Sequence, residues 1–335
     1  MSHEIGVVGA GGWGTALAKI LADKGEHVTL WCHGADSFRE LVDRRENRTY
    51  LPGISLPPSI EVTQFLDRAV EGKFLVICAV PSHAVREVFS RIASKLASHT
   101  MLLCGTKGLE EGSLCTMGEL LVGLFGDERK QQLAFLSGPT FAMEVVRQLP
   151  AAVTVAAYDE QVARSIQGIL NTESLRVYTS PDVIGIQMGG VVKNVIAIAA
   201  GISDGLSLGQ NARAALITRG LAEMSRLAVR MGADPMTLAG LPGLGDLILT
   251  CTGDLSRNRT VGLEIARGKS LQEITASTRT VAEGVRNTRS LHLLAARLGV
   301  EMPIVEQMYQ VLYAGKKPGE AVRDLMQRSL KPEAG

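Results

Sequence analysis

The sequence has few aromatic residues and almost no net charge. Phe, Trp and Tyr make up 4% of the 335 residues, and 35 Lys and Arg residues nearly balance 34 Asp and Glu residues, for a formal charge of +1. A near-neutral chain lacks the basic field that attracts nucleic acids or anionic membranes. Few aromatic rings also leave few stacking platforms for single-stranded nucleic acid. We therefore expect no nucleic-acid partner.

Paired cysteines, a signal peptide and an unbroken apolar run of membrane length are also missing. The five cysteines are Cys32, Cys78, Cys104, Cys115 and Cys251. They include no C-x-x-C pair, which favours buried free thiols in a reducing compartment and provides no metal-site spacing. The first four residues have no basic n-region. The most apolar long run, Val183–Ile202, contains Gln187, Lys193 and Asn194, which disfavours a membrane span. These absences predict a cytoplasmic protein without a metal ion.

Glycine, by contrast, is abundant and occurs at the start of the chain in a functional pattern. The apolar run Ile5–Val8 leads into Gly9-Ala10-Gly11-Gly12-Trp13-Gly14, and the helical pattern Thr15–Ala22 follows. This is G-x-G-x-x-G in the order strand, turn, helix, which is the context that dinucleotide binding requires. A second strand is predicted at His27–Trp31. The context favours a dinucleotide site over a glycine-rich turn without function.

Each glycine of the pattern has a physical role. Gly9 permits the turn, Gly11 lets a pyrophosphate approach the backbone, and Gly14 lets the helix pack closely on the strand. The free N–H groups at the helix start then face the pyrophosphate.

Cofactor choice depends on the end of the second strand, where NAD enzymes carry a carboxylate. Here that place is Trp31-Cys32-His33, without an acid, and Asp36 comes late. We therefore expect NADP to be accepted, with His33 beside the 2′-phosphate.

Further apolar runs alternate with helical patterns up to residue 180. The predicted strands are Lys73–Val80, Thr100–Gly105, Leu133–Leu136, Ala152–Ala156 and Leu175–Tyr178. Such alternation predicts a doubly wound (Rossmann) parallel sheet with its ligand beyond the carboxyl ends of the strands. From Ser180-Pro181-Asp182, a helix-start signal with Ser at the N-cap, the pattern is helical only. A chain of this length can hold two domains, so we predict a dinucleotide-binding domain at 1–180 and an all-helical substrate domain at 181–335.

Lys193 is the most informative residue of the second half. It lies mid-helix among apolar neighbours, with no acidic residue within a turn on either side. Burial of a lysine lowers its pKa, which a proton-transfer role needs. Gly189 and Gly190 precede it, and their cost to a helix suggests close approach by another backbone or a ligand. The alternative is a lysine on an exposed strip of the helix.

Two further segments are candidates for the site. Asp246 follows a glycine-rich stretch and is either a helix N-cap or a carboxylate that positions a lysine ammonium. The run Ser256-Arg257-Asn258-Arg259 opens a predicted helix, where free N–H groups and guanidinium donors suit a phosphate; an exposed, Arg-rich helix start is the alternative. His33 and His83 lie at strand ends, where most histidines are merely exposed, and no Ser–His–Asp set or G-x-S-x-G motif is found.

Over essentially its whole length, the chain resembles the NAD(P)-dependent glycerol-3-phosphate dehydrogenases of the bacterial type. The resemblance rests on an ordered set of motifs: Gly9–Ala18, Pro81-Ser82-His83, Thr106–Glu110, Ser137–Ala142, Gly189–Val195, Asn211-Ala212-Arg213, Gly243–Asp246, Ser256–Arg259 and Val281–Gly284. Each motif alone is modest, but the ordered set is specific. Cys32-His33 departs from the basic ending that some members carry, which bears only on cofactor preference.

The resemblance implies reversible reduction of dihydroxyacetone phosphate to sn-glycerol 3-phosphate for glycerophospholipid synthesis, with NADP or NAD as cofactor and a homodimer as the assembly. It implies four catalytic residues: Lys193 as general acid/base, Asp246 and Asn194 to orient it, and Lys107 to add positive charge. It implies substrate contacts from Lys107, Gly138, Thr140, Lys193, Asp246, Thr250, Ser256, Arg257 and Asn258, with Ser256, Arg257 and Asn258 around the phosphate. It implies cofactor contacts from Gly9, Gly11, Gly12, Trp13, Gly14, His33, Lys107, Ala142, Arg257, Val281 and Glu283.

Other functions remain open from the sequence. Two-domain reductases of the ketopantoate, 6-phosphogluconate or hydroxyisobutyrate type also use a helix-borne lysine, although Ser256-Arg257-Asn258 favours a phosphorylated triose. A non-catalytic NAD(P)-binding regulator would be expected to lack Lys193 or Asp246. A lipid-surface scaffold would need a basic amphipathic helix, and none is evident.

Overall fold

An eight-stranded sheet occupies the N-terminal half of the computed structural model, which describes residues 2–277, 282–330 and 332–333. The strands are β1 (Glu4–Val8), β2 (His27–Trp31), β3 (Glu61–Thr63), β4 (Leu75–Cys78), β5 (Met101–Cys104), β6 (Leu133–Ser137), β7 (Ala151–Ala157) and β8 (Leu175–Ser180). Their order across the sheet is β3-β2-β1-β4-β5-β6-β7-β8. The chain thus winds outward from β1 in both directions, which confirms the predicted doubly wound fold.

Two features of the sheet differ from expectation. Strand β3 was not predicted, because three residues are too few to give a period. Strand β7 pairs antiparallel with β6, whereas every other pairing is parallel. The connection from β6 to β7 contains only the five-residue helix α5 (Ala142–Val146). A helix of that length rises about 7.5 Å, too little to return the chain to the opposite edge of the sheet, so β7 begins where β6 ends.

Helices cover both faces of the sheet. They are α1 (Gly12–Asp23), α2 (Ala35–Asp43), α3 (Val85–Ser90), α4 (Met117–Phe125), α5 and α6 (Glu160–Leu170). Alternate strand residues enter separate cores: Ile77 packs with the α1 and α6 side chains, while its neighbour Val76 packs with those of α3 and α4. Because the central strands β4 and β5 are buried on both faces, their sequences are unbroken apolar runs.

After Ser180 the described residues contain no strand, which agrees with the predicted helical half. The helices are α7 (Val183–Gly205), α8 (Gly209–Arg230), α9 (Pro235–Ala239), α10 (Asp246–Thr252), α11 (Arg257–Ala266), α12 (Leu271–Ser277), α13 (Glu283–Leu298), α14 (Pro303–Tyr313) and α15 (Pro318–Met326). A π-helical turn, Leu241–Gly245, precedes α10.

Helix α7 is the centre of this half. It buries 19 of its 23 residues, and α8, α10, α11, α13 and the π-helical turn all pack against it. By length and composition it could cross a membrane, but 89% of its most apolar window is buried inside the protein. It begins two residues later than the sequence signal indicated, because the Asp182 carboxylate, rather than Ser180, accepts the Gly185 N–H at 2.8 Å.

Candidate active site

The loops that follow the parallel strands meet at one edge of the sheet. Gly9 follows β1, His33 follows β2, Ser82 follows β4 and Lys107 follows β5, and these strands are parallel neighbours. The carboxyl ends of parallel strands point the same way, so the sequence-predicted candidates of the first half converge there. The α7 and α10 helices lie across from this edge, where Lys107 reaches Asp246, and the region between the sheet edge and these helices is the candidate cleft.

The glycine turn has the geometry that its pattern predicted. Gly9 has φ +119°, and a Cβ on Gly14 would lie 1.9 Å from the Gly9 carbonyl oxygen. A Cβ on Gly11 would meet no protein atom within 4 Å, and Gly11 supplies no side-chain cap to α1. The first N–H groups of α1 therefore face open space at a positive helix end, which fits a pyrophosphate.

Other predicted cofactor residues surround the same turn. A Cβ on Gly12 would lie 3.9 Å from the Ala142 Cβ, and a Cβ on Gly105 would lie 3.1 Å from the Trp13 indole nitrogen. His33 is exposed, with its ring centroid 5.7 Å from that of Trp31. Val281 lies outside the described residues.

Asn47, which the sequence did not single out, holds this turn in place. Its buried amide donates to the Ala10 carbonyl at 2.9 Å and to the Thr15 hydroxyl at 2.8 Å. No local pattern identifies it, because it lies in the irregular segment between α2 and β3, and its partners are more than thirty positions away.

Two lysines share one fully buried carboxylate at the base of the cleft. The Lys107 ammonium donates to Asp246 Oδ2 at 2.7 Å, and the Lys193 ammonium donates to Oδ1 of the same carboxylate. Asp246 has no exposed surface, and Lys193 is 6% exposed. Two cations on one anion leave excess positive charge when both lysines are protonated, which suits an anionic or carbonyl-bearing ligand.

Close packing of backbone on backbone brings this carboxylate to Lys193. A Cβ on Gly189, one turn before Lys193, would lie 2.4 Å from the Pro242 carbonyl oxygen. Only glycine therefore lets the π-helical turn approach α7 so closely, as the sequence indicated. Asp246 opens α10 directly after that turn. Its carboxylate binds lysines and makes no cap hydrogen bond, so the N-cap alternative is wrong.

Burial, opposed by Asp246 and assisted by the nearby Lys107 ammonium, lowers the pKa of Lys193 from its ordinary value to about 7. Desolvation disfavours the ammonium, whereas the carboxylate partner favours it. A lysine with this pKa exchanges a proton near neutral pH, which is the property that a general acid/base requires. The alternative of a lysine on an exposed strip is excluded.

The side chains beside Lys193 have different partners. The Thr250 hydroxyl accepts the Lys193 ammonium at 3.0 Å and donates to the Asp246 carbonyl at 2.6 Å. The Asn194 amide donates to the Gly190 carbonyl at 3.2 Å and accepts from the Asn258 amide at 2.9 Å. Asn194 therefore does not orient Lys193 directly, because consecutive residues of a helix point about 100° apart.

The start of α11 combines a cap with an exposed guanidinium. The Ser256 hydroxyl accepts the Arg259 N–H at 3.2 Å and is the N-cap. Arg257 is exposed and makes no hydrogen bond or ion pair with any described residue. Arg259 binds Asp204 and Asp254 instead. The Arg257 guanidinium and the helix N–H groups are donors of the kind that suit an anion, with Asn258 buried behind them.

The remaining predicted residues lie around the cleft as well. Lys107 reaches the Gly138 carbonyl at 3.4 Å, and the Thr140 hydroxyl donates to the same oxygen at 3.3 Å. Glu283, at the start of α13, accepts from Ser82 after β4. Across the described ranges, no group of three or more His, Cys, Asp or Glu side chains could hold a metal ion.

Comparisons with known proteins agree with this geometry. The family model described as NAD-dependent glycerol-3-phosphate dehydrogenase N-terminus matches residues 4–163, and the corresponding C-terminus model matches 182–323. Glycerol-3-phosphate dehydrogenase [NAD(P)+] of Citrifermentans bemidjiense is 53% identical over 333 residues, covering 99% of both chains.

Solved structures extend the likeness. The crystal structure of glycerol-3-phosphate dehydrogenase from Coxiella burnetii is 40% identical with a TM-score of 0.93, covering 98% of this chain and 99% of that one. A 2-dehydropantoate 2-reductase from Geobacter metallireducens is 15% identical with a TM-score of 0.60, covering 93% of this chain and 100% of that one. That second likeness is one of fold alone.

Proposed function

The chain belongs to the NAD-dependent glycerol-3-phosphate dehydrogenase family, and from this premise we propose how its residues carry out the reaction. It is an NAD(P)-dependent oxidoreductase that interconverts dihydroxyacetone phosphate and sn-glycerol 3-phosphate. The ketopantoate and hydroxyisobutyrate alternatives are not favoured. The observation that carries the proposed mechanism is the buried Lys193–Asp246–Lys107 arrangement opposite the glycine turn.

In this proposal Lys193 is the general acid/base. Its ammonium donates a proton to the ketone oxygen during reduction, and its neutral amine takes the proton back during oxidation. Lys107 stabilises the negative charge that develops on that oxygen, because its ammonium lies on the same carboxylate. Asp246 and Thr250 hold the Lys193 ammonium in one direction. Asn194 contributes only indirectly, because its side-chain oxygen accepts a hydrogen bond from Asn258.

A nicotinamide cofactor, when bound, would supply the hydride for the reduction. The chain's own residues hold the reactants for that transfer. Gly9, Gly11 and Gly14 shape the turn that receives the pyrophosphate, and Gly12, Trp13 and Ala142 border it. Glu283 and Val281 are proposed cofactor contacts from the family motif, as are Lys107 and Arg257. Holding the cofactor and the ketone together beside Lys193 would account for much of the expected rate.

The substrate phosphate binds at the start of α11 in this proposal. Ser256, Arg257 and Asn258 provide donors there, while Gly138 and Thr140 border the triose on the sheet side. The charge of the phosphate gives remote binding energy that aligns the ketone with Lys193. This assignment agrees with the exposed, unpaired state of Arg257 among the described residues.

Other expectations are part of the proposal. NADPH is accepted, with His33 beside the 2′-phosphate, because no carboxylate ends β2. The domains divide at 180/181, the assembly is a homodimer and the site of action is the cytoplasm. A non-catalytic regulator is disfavoured by the presence of Lys193 and Asp246 in contact.

A substrate comparison tests the function and the phosphate site together. Oxidation of NADPH and NADH is followed optically with dihydroxyacetone phosphate and with unphosphorylated dihydroxyacetone. We expect fast turnover only with the phosphate ester. Arg257→Ala should raise the KM of the ester roughly 10- to 100-fold, as for loss of a charge-assisted hydrogen bond, and should raise the KM of dihydroxyacetone much less.

Arg91→Ala is the matched control, because Arg91 is also exposed and unpaired in the described structure. An equal effect of Arg257→Ala on both substrates would refute the phosphate site. No turnover with either cofactor would refute the function.

A further inference from the structure

A hydrogen-bonded connection joins the start of α13 to the loop after β4. Glu283 Oε2 accepts the Ser82 hydroxyl at 2.8 Å, and its Oε1 accepts the Ser82 N–H at 3.2 Å. The two residues are 201 positions apart. Ser82 is 3% exposed, so its hydroxyl depends on this carboxylate for a partner. A charged acceptor with two donors makes the contact strong for a single residue pair.

The next residue continues the connection to the proposed phosphate end of the cleft. The Gly284 N–H donates to Asn258 Oδ1 at 2.9 Å, and Asn258 is the second residue of α11, directly after Arg257. The Asn258 amide also donates to Asn194 Oδ1 on α7 at 2.9 Å. One buried side chain therefore joins the starts of α11 and α13 to the residue next to Lys193.

These contacts leave the start of α13 little freedom. A Cβ on Gly284 would lie 2.5 Å from the Asn194 carbonyl oxygen and 2.7 Å from Asn258 Oδ1. Movement of α11 toward or away from a ligand must therefore shift Glu283 or break a hydrogen bond. Because Ser82 lies on the loop next to the glycine turn, that shift reaches the cofactor edge of the sheet.

We propose that Ser82 is a positioning residue whose bonds to Glu283 couple substrate-phosphate binding at α11 to cofactor binding at the sheet edge. The inference rests on the proposed phosphate site at Ser256–Asn258. In this arrangement each ligand stabilises the geometry that the other needs. By reciprocity, glycerol 3-phosphate tightens the cofactor by the same factor as the cofactor tightens glycerol 3-phosphate.

The test measures that factor directly. NADPH and glycerol 3-phosphate are both reduced and cannot react, so the dissociation constant of NADPH can be titrated with and without glycerol 3-phosphate. We expect roughly tenfold tighter binding with glycerol 3-phosphate in the unaltered protein, a typical coupling. Ser82→Ala should bring the ratio close to one and should leave glycerol 3-phosphate binding without cofactor nearly unchanged.

Ser203→Ala is the matched control. Ser203 is also a buried serine, but its hydroxyl has no hydrogen-bond partner among the described residues. It should retain the full coupling. Should Ser82→Ala fail to fold, Glu283→Asp, which keeps the charge but withdraws it from Ser82, takes its place. A double-mutant cycle of Ser82→Ala with Glu283→Ala should be non-additive for the coupling ratio.

A coupling ratio of one in the unaltered protein, or a ratio that survives Ser82→Ala, overturns the inference. Neither result affects the proposed function, which is tested by turnover and by the Arg257→Ala substrate comparison. Conversely, loss of phosphate discrimination there would refute the phosphate site even if Ser82 proved to couple two ligands.

Discussion

The two halves of the molecule bring different kinds of group to the cleft. The sheet half offers mainly backbone: a glycine turn, the uncapped start of α1 and loops at strand ends. The helical half offers side chains on helices: Lys193 on α7, Asp246 on α10 and Arg257 on α11. Lys107 is an exception, because its side chain extends from the sheet half to Asp246 on α10.

The difference reflects two tasks. A pyrophosphate is held by N–H groups, so the residues that bind it best are those with no side chain in the way. A proton donor must instead be desolvated and fixed, and a helix with most of its residues buried provides both conditions for Lys193. Mutations in the sheet half should therefore change cofactor binding or stability, whereas those in the helical half should change kcat.

The largest effect is expected at Lys193. Lys193→Met should lower kcat about 10²- to 10⁴-fold, the usual contribution of a positioned general acid. The fold should persist, because Asp246 keeps Lys107 as a partner at 2.7 Å. Steady-state kinetics and circular dichroism measure the two properties.

Lys107→Met is the comparison variant, since it removes the other ammonium from the same carboxylate. It should lower kcat less, by roughly tenfold, if its role is charge alone. Equal losses of kcat in the two variants would mean that Lys193 is not the sole group that transfers the proton. Near-normal turnover of Lys193→Met would show that Lys193 is not the general acid/base.

Smaller effects are expected within the glycine turn, where one variant should affect cofactor binding and another should affect stability. Gly11→Ala should leave the free energy of unfolding within about 0.5 kcal/mol, because its Cβ meets no protein atom within 4 Å. It should weaken cofactor binding roughly 10- to 100-fold, since the methyl group occupies the place where the pyrophosphate approaches.

Gly14→Ala should instead lower the free energy of unfolding. Its Cβ would lie 1.9 Å from the Gly9 carbonyl oxygen, and such overpacking costs about 1–3 kcal/mol of stability or more. Urea unfolding and cofactor titration of both variants give the comparison. Loss of stability in Gly11→Ala, with cofactor affinity retained, would contradict the assigned roles.

The smallest effect is a pH dependence of about tenfold per unit. With the pKa of Lys193 at about 7, the ammonium that reduction requires is lost as the pH rises. The kcat/KM for reduction should therefore fall above about pH 7, and that for glycerol 3-phosphate oxidation should rise up to the same pH.

The residual activity of Lys193→Met is the control for this profile. The substrate phosphate also titrates, near pH 6, but it does so with both enzymes. Only a change of slope in the pH profile of kcat/KM that disappears in Lys193→Met belongs to Lys193. An unchanged profile in that variant would contradict the assignment.

Local sequence determined much of this protein. The glycines of the turn, the apolar strands and the Ser256 helix start were all predictable, because each depends only on residues close to it in the sequence. The desolvation of Lys193 could be anticipated for the same reason, since its own helix is apolar.

Tertiary structure decided the rest. The antiparallel β7, the shared carboxylate of Asp246, the Asn194–Asn258 pair and the Ser82–Glu283 bonds join segments that no local pattern relates. The direction of Asn194 shows the limit most clearly, because the sequence places it beside Lys193 while the helix turns its amide toward α11. A residue's chemistry and helical context follow from its neighbours in the chain, whereas its partner depends on how distant helices pack.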